Sequence, residues 1–169
     1  PAVWSYGHRN VQGLYYDAAT GTLYETEHGP KGGDELNLVT PGTNYGWPEI
    51  TYGVNYDGTI ITNKTEAEGM AQPLTYWVPS IAPSGLVMLT SDVYPGWKGD
   101  LFTGGMNGPA GLELTRIDME NGEVVGKQSL FDGEYPIRDV VQGPDGHLYV
   151  ATKDFDGIFR VDIAEAEAE

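Results

Sequence analysis

Short apolar runs, each closed by a glycine turn, follow one another along this chain, and no stretch sustains a helical period. Leu14-Tyr15-Tyr16-Asp17 and Thr22-Leu23-Tyr24-Glu25-Thr26 flank a turn that ends at Gly21. Asp34–Val39 alternates polar and apolar residues in part, as a half-buried strand does. Further runs lie at Leu86-Val87-Met88-Leu89-Thr90, at Asp100-Leu101-Phe102-Thr103 and at 112–117. Asn121-Gly122 is the strongest hairpin dipeptide of the chain and leads into Val124-Val125. Runs at 137–141, 147–152 and 157–163 close the series, with Asp145-Gly146 and Asp156-Gly157 as their turns. The groups echo one another: in both 13–24 and 140–149 an apolar strand enters a turn and restarts with Leu-Tyr. Repeats of roughly 40 to 50 residues built from short strands are the signature of propeller blades. The chain is therefore expected to be all-β, a partial propeller of about three blades over residues 1–163, with an acidic tail at 164–169. Closed propellers need about 4 to 8 blades, so about three leave a ring open.

Between these groups, residues 41–79 read as loop, with the turn pairs Pro41-Gly42 and Asp57-Gly58 and prolines at 48, 73 and 79. A connection this long in a compact domain points to function.

Charge and composition exclude several classes. The formal net charge of -16 argues against a nucleic-acid partner, which needs a basic patch, and favours bound cations. The chain has no cysteine, hence no disulfide, zinc-thiolate site or thiol nucleophile. No apolar run is long enough to span a membrane. The opening Pro1-Ala2-Val3-Trp4 lacks an initiating Met and any signal-peptide pattern, and suggests a trimmed or partial chain. The 11 Tyr and 4 Trp suit strands and sugar-like ligands.

One stretch concentrates the chemistry. Glu27-His28-Gly29-Pro30-Lys31-Gly32-Gly33-Asp34-Glu35 combines carboxylates with glycines that let backbone approach a ligand closely. Carboxylate and carbonyl oxygens are hard donors that suit Ca²⁺. The same residues also compose an ordinary acidic surface turn, and residue types alone leave both readings open.

Five stretches in order carry a resemblance. They are residues 7–14 (Gly-His-Arg-Asn-Val-Gln-Gly-Leu), residues 27–37, Asn44-Tyr45-Gly46-Trp47-Pro48, Pro79-Ser80-Ile81-Ala82-Pro83-Ser84-Gly85, and Ile137-Arg138-Asp139-Val140 with Gly143-Pro144-Asp145-Gly146. Together they resemble the soluble quinoprotein sugar dehydrogenases, the aldose sugar dehydrogenase and soluble glucose dehydrogenase family, which uses pyrroloquinoline quinone (PQQ). The resemblance spans nearly the whole chain but only the C-terminal half of that family's six-bladed propeller.

The resemblance implies roles, residue by residue. Arg9 and Asn10 match a PQQ-contacting pair, and a guanidinium fork suits the cofactor's carboxylates. Gly29 and Pro30 match the pair whose backbone carbonyls hold the catalytic Ca²⁺ against PQQ. Glu35 and the Tyr45 carbonyl match a second, structural calcium site. Asp34 matches a residue near the catalytic centre that orients the base. Tyr56 and Gly105-Met106-Asn107 match the cofactor wall, and Arg138 a further cofactor arginine. The family's Arg-x-Arg is here Pro136-Ile137-Arg138, so one guanidinium is absent. No stretch matches the family's catalytic histidine: His8 and His28 belong to other motifs, and His147 sits in the Leu-Tyr repeat.

The expected function is thus the C-terminal half of a PQQ- and calcium-dependent dehydrogenase that oxidises the C1 hydroxyl of aldoses to lactones. The expected partners are an aldose and either a missing N-terminal half or another copy of the chain, in a periplasmic or secreted location. The alternative is a calcium-stabilised binding module without redox activity, because propellers host many functions. A glycosidase needs two opposed carboxylates, and nothing in the sequence places such a pair.

Overall fold

The computed structural model describes residues 2–107 and 111–163. Every regular element among them is a strand. Four strands, β1 (Val11–Asp17), β2 (Thr22–Glu27), β3 (Asp34–Val39) and β4 (Thr75–Trp77), form the first antiparallel sheet in chain order. The second follows the same order with β5 (Pro83–Met88), β6 (Leu101–Gly105), β7 (Leu114–Glu120) and β8 (Glu123–Leu130). The third contains β9 (Ile137–Gln142), β10 (Leu148–Thr152) and β11 (Ile158–Arg160). These are the three expected blades, two of four strands and one of three. The tail 164–169 lies outside the described residues.

Local chemistry sets the turns. The β1–β2 turn is held by Asp17, whose carboxylate accepts from the Ala19 amide at 3.0 Å and whose carbonyl accepts from the Gly21 amide at 2.8 Å. Asn121 and Gly122 both take positive φ, 53° and 84°, which the tight β7–β8 hairpin requires of its two central residues. The loop 41–79 is irregular as expected except for β4, whose three residues are too few to display a period.

The sheets stack face to face. Tyr24, Leu36, Trp77, Ile81, Leu86, Leu101 and Ile117 fill the space between the first and second. Leu89, Phe102, Leu114, Ile137, Val140, Leu148 and Val150 belong to the core between the second and third. The first strands of successive blades, β1, β5 and β9, pack side by side along one edge of the stack. That adjacency makes them the inner strands of an arc.

Glycine permits this close approach. A Cβ on Gly13 of β1 would stand 2.6 Å from the Ser84 carbonyl oxygen and 2.7 Å from the Leu86 Cβ, both on β5. The Gly13 amide instead bonds the Thr26 hydroxyl, which donates in turn to the Ser84 carbonyl at 3.2 Å. Gly13→Ala is expected to force the first two blades apart. Overpacking of this kind costs about 1–3 kcal/mol, and thermal unfolding should register a fall in Tm of roughly 3–10 °C.

Candidate cofactor and cation site

Strand period brings acid groups together. Glu25 and Glu27 lie two apart on β2 and so share a face, as do Glu35 and Asn37 on β3. The ladder pairs Glu25 with Asn37 and Glu27 with Glu35. Asn37 Nδ2 donates to Glu25 Oε1 at 2.8 Å and to Glu35 Oε2 at 3.2 Å. His8 closes one side: its ring stacks on Tyr45 with centroids 4.5 Å apart, and Nδ1 approaches Glu25 Oε1 at 3.4 Å. Ligand atoms of His8, Glu25 and Glu27 all lie within 4.8 Å of one another.

This cluster is short of positive charge. Burial first, and Glu25 next, pushes the Glu27 carboxyl up to about 7, against the amides of Arg9 and Asn10 that donate to it. Burial also lifts Glu35 to about 7, with Glu27 and Glu25 adding to the rise and Asn37 opposing it. The contact with Glu25 raises the His8 pKa, and burial counteracts it. Glu25 Oε2, Asn37 Oδ1 and His8 Nδ1 are buried without a hydrogen-bond partner. A cavity of ≈ 10 Å³, about the size that holds a single water or ion, is lined by Glu27, Gly29, Glu35 and Tyr45 among others. Raised carboxyl pKa values at Glu27 and Glu35 beside an ion-sized space, with orphaned oxygens on the neighbouring Glu25 and Asn37, are features that suit a hard cation. Glu35 and Tyr45 both line this space. Glu27, Glu25, Asn37 and His8 join them, and the alternation of Glu25 with Glu27 and of Glu35 with Asn37 was the readable signal for three of these.

The loop 28–33 sits beside this cluster. Gly32 and Gly33 adopt positive φ, and a Cβ on Gly29 would collide with the backbone of both. Asp34, fully buried, holds the loop: Oδ1 accepts from the Gly29 amide at 2.9 Å, and Oδ2 from the Ile81 and Ala82 amides at 2.8 and 2.9 Å. Its oxygens therefore brace two loops of successive blades and face no histidine. Arg9 Nη1 donates to the His28 and Gly29 carbonyls, each at 2.9 Å, and its guanidinium lies 5.3 Å above the Trp47 ring. The Gly29 oxygen keeps a second lone pair, so a cation ligand role remains open to it. Asn10 is exposed next to Arg9.

Pro30, Lys31, Tyr56, Val78, Ser80 and Asn107 line an open cavity of ≈ 560 Å³. Asn107 is fixed there by its Nδ2, which donates to the Ser80 carbonyl at 3.1 Å, and the Met106 amide bonds the Ile81 carbonyl at 2.8 Å. Gly105 is buried at the end of β6, tied to the Glu113 carbonyl. Arg138 is exposed on the inner strand β9, one blade farther round the arc. Sequence-expected residues thus fall into three neighbourhoods: the acid cluster with its loop, the cavity beside Pro30, and Arg138.

Known proteins resemble this chain in sequence and in fold. The glucose/sorbosone dehydrogenase family profile matches residues 1–161. The chain belongs to that family. Aldose sugar dehydrogenase YliI of Escherichia coli is 42% identical over 159 residues, 92% of this chain and 42% of that protein. A crystal structure of a glucose dehydrogenase superposes with a TM-score of 0.88 at 42% identity, over 96% of this chain and 47% of the other. The PQQ-bound aldose sugar dehydrogenase of Streptomyces coelicolor superposes with a TM-score of 0.67 at 32% identity, over 92% of this chain and 40% of the other. The chain thus spans less than half the length of the relatives it matches. Like these glucose/sorbosone dehydrogenase relatives, it is built from antiparallel sheets, and no helix among the described residues is long and apolar enough to cross a membrane.

Two outcomes follow from the acid cluster. Calcium at about 100 times its Kd should add roughly 2.7 kcal/mol to stability, a rise in Tm of about 5–10 °C. Glu35→Gln should shrink that rise, and an equal response in wild type and variant would remove Glu35 from the site. In chelator, pH acts the other way. Glu27 and Glu35 hold protons up to about 7 when folded against an ordinary 4.5, so the folded state binds more protons in that window. Stability is therefore lost as pH rises from about 4.5 to 7, by on the order of a few kcal/mol, and stays low above it. Scanning calorimetry should show Tm falling from pH 5 to pH 8 without calcium, and calcium should restore it.

Proposed function

We propose that this chain forms the cofactor-loop half of a PQQ- and calcium-dependent aldose dehydrogenase, which oxidises the C1 hydroxyl of the sugar to a lactone. The observation that carries the reading is the joining of a cation-seeking acid cluster, a guanidinium clamp and a sugar-sized open cavity through one glycine loop. Family membership and a PQQ-bound neighbour supply the cofactor class.

When bound, PQQ would supply the two-electron acceptor for the C1 hydride, with calcium polarising its quinone. Gly29 and Pro30 offer backbone oxygens for that ion, while Glu35, Glu27 and the Tyr45 carbonyl suit a second, structural one. Arg9 and Arg138 provide guanidinium donors for cofactor carboxylates. Trp47 keeps the Arg9 guanidinium flat, so its fork is oriented before the cofactor arrives. Tyr56, Val78 and Asn107 would wall the sugar.

The proton of the C1 hydroxyl needs a base within hydrogen-bond reach. The three histidines here are otherwise engaged: His8 with Ser5 and Glu25, His28 Nε2 with the Pro83 carbonyl at 2.7 Å, and His147 with Asp145. We assign the base to the remainder of the ring. The arc's flanks fit such a completion. Leu14 and Tyr16 are exposed on one side, and Val141 and Ile158 on the other.

The test is dye reduction with glucose and other aldoses, alongside PQQ titration followed by tryptophan fluorescence. The chain alone is expected to turn over negligibly, and adding the complementary half should restore activity. Arg138→Ala should then weaken PQQ binding by about 10–100-fold, the loss of a charge-assisted pair. Robust turnover by the isolated chain would place a base within it. No turnover and no PQQ binding with both halves supplied would favour the calcium-stabilised binding module.

A further inference from the structure

The cavity of ≈ 560 Å³ beside Pro30 has one charged side chain in its wall, Lys31. The dehydrogenase reading gives that residue no task. Lys31 follows Pro30 directly, and its backbone is pinned: its amide donates to the Val54 carbonyl at 3.0 Å, and the Val54 amide donates back to the Lys31 carbonyl at 3.3 Å. A Cβ on the next residue, Gly32, would already touch Val78 at 3.4 Å. The lysine thus springs from a fixed wall of the cavity.

The chain carries 25 acidic residues against 9 Lys and Arg. In such an excess a cation finds a carboxylate easily, and several do: Lys64 pairs with Glu49, Lys98 with Asp92, Arg116 with Asp100 and Arg160 with Asp162. Among the described residues no carboxylate pairs with Lys31, and none lines its cavity. The other polar groups there are neutral. Ser80 Oγ accepts from the Ala82 amide at 3.1 Å and keeps its hydrogen to donate. Asn107 holds Nδ2 on the Ser80 carbonyl and so presents Oδ1 as an acceptor. A hydroxyl and an amide can sort sugar hydroxyls. An ammonium adds a full positive charge, which a carboxylate answers best. The acidic remainder of the chain repels an anion, but at physiological ionic strength that field is screened beyond about 8 Å. The charge at contact therefore decides.

We propose that this cavity selects an anionic aldose, a uronic acid whose C6 carboxylate pairs with Lys31 while Ser80 and Asn107 bind ring hydroxyls. The proposal rests on the sugar-cavity part of the reading above and deepens it by naming the substrate class. Lys31 is its specificity-determining residue.

The experiment is calorimetric titration of the chain in calcium buffer at pH 7 with glucose and with sodium glucuronate, so that it needs no PQQ and no turnover. Glucuronate should bind about tenfold more tightly than glucose at low salt, the gain of one charge-assisted hydrogen bond. Added sodium chloride should shrink that preference. Lys31→Met should bring the two sugars to within about twofold of each other, and Lys31→Arg should keep the preference. Lys98→Met, at a surface pair with Asp92, should leave the ratio as in wild type. PQQ carries carboxylates too, so a parallel PQQ titration followed by tryptophan fluorescence separates the two sources of anion. Weaker PQQ binding in Lys31→Met, with no glucuronate preference in wild type, would give Lys31 to the cofactor and overturn the proposal. Equal binding of the two sugars, no binding of either, or a preference that survives Lys31→Met would overturn it as well. A glucuronate preference lost in Lys31→Met sustains it even if PQQ fails to bind. Its absence leaves glucose-dependent dye reduction with the complementary half untouched, so this proposal and the dehydrogenase reading fail separately.

Discussion

Like charges held together inside the first blade set the terms for everything around them. Glu25 and Glu27 offer ligand atoms within 4.8 Å of each other, and Glu35 faces Glu27 across the ladder. Two unit charges at that separation repel by about 3 kcal/mol at an effective dielectric of ~20. A domain's whole stability is about 5–15 kcal/mol, so the fold cannot carry several such repulsions unrelieved. The cluster is relieved by protons or by a cation. The strand ladder fixes the three carboxylates, and the orphaned Glu25 and Asn37 oxygens leave room for more ligation than the protein supplies. Folding of this blade and proton uptake at Glu27 and Glu35 are therefore linked, and the loop 28–33 is ordered next to them.

Asp34 carries that order outward. It opens β3, one residue before Glu35, and its two oxygens reach both the Gly29 amide and the amides of Ile81 and Ala82. Ala82 itself takes a left-handed φ of 50°, a conformation a non-glycine residue holds only when its surroundings impose it. One carboxylate thus positions the glycine loop and the 80–83 connection together. Val78, Pro79, Ser80 and Asn107 inherit their places from that connection, since Asn107 and Met106 bond to Ser80 and Ile81. The glycine loop beside the acid cluster and the cavity wall are joined through that single buried side chain.

Much of this was legible before any coordinates. The three sheets, the Asn121-Gly122 hairpin and the strand Asp34–Val39 were readable because period and turn chemistry are local. Glu35, Tyr45, Gly29 and Pro30 were nameable because they fall in a motif. What stayed hidden depends on register. The pairing of Glu27 with Glu35 and of Glu25 with Asn37 is a property of the β2–β3 ladder, and only its same-face half, the i and i+2 acids, is written in one strand. Strand β4 was hidden because it has three residues and lies between prolines. The role of Asp34 was hidden because its partners, Ile81 and Ala82, are 47 and 48 positions away.

The division of labour across the ring follows from the same geometry. The inner strands β1, β5 and β9 bring Asn10 and Arg138 to the exposed edge of an arc, while the acid cluster stays inside one blade. The acid cluster is thus built from β2, β3 and their adjoining segments, with little from neighbouring blades. Cofactor binding spans at least the first and third blades, if Arg9 and Arg138 hold one molecule. Proton removal needs a group on neither, because the histidines are tied to Ser5 and Glu25, to Pro83 and to Asp145. Each successive step of the proposed chemistry therefore draws on more of the ring than the one before. An open arc of three blades can be calcium-responsive and still be catalytically silent. That combination follows from where the groups sit: the carboxylates are gathered by one ladder, Arg9 and Arg138 stand on different blades, and the three histidines are held by Ser5 and Glu25, by Pro83 and by Asp145.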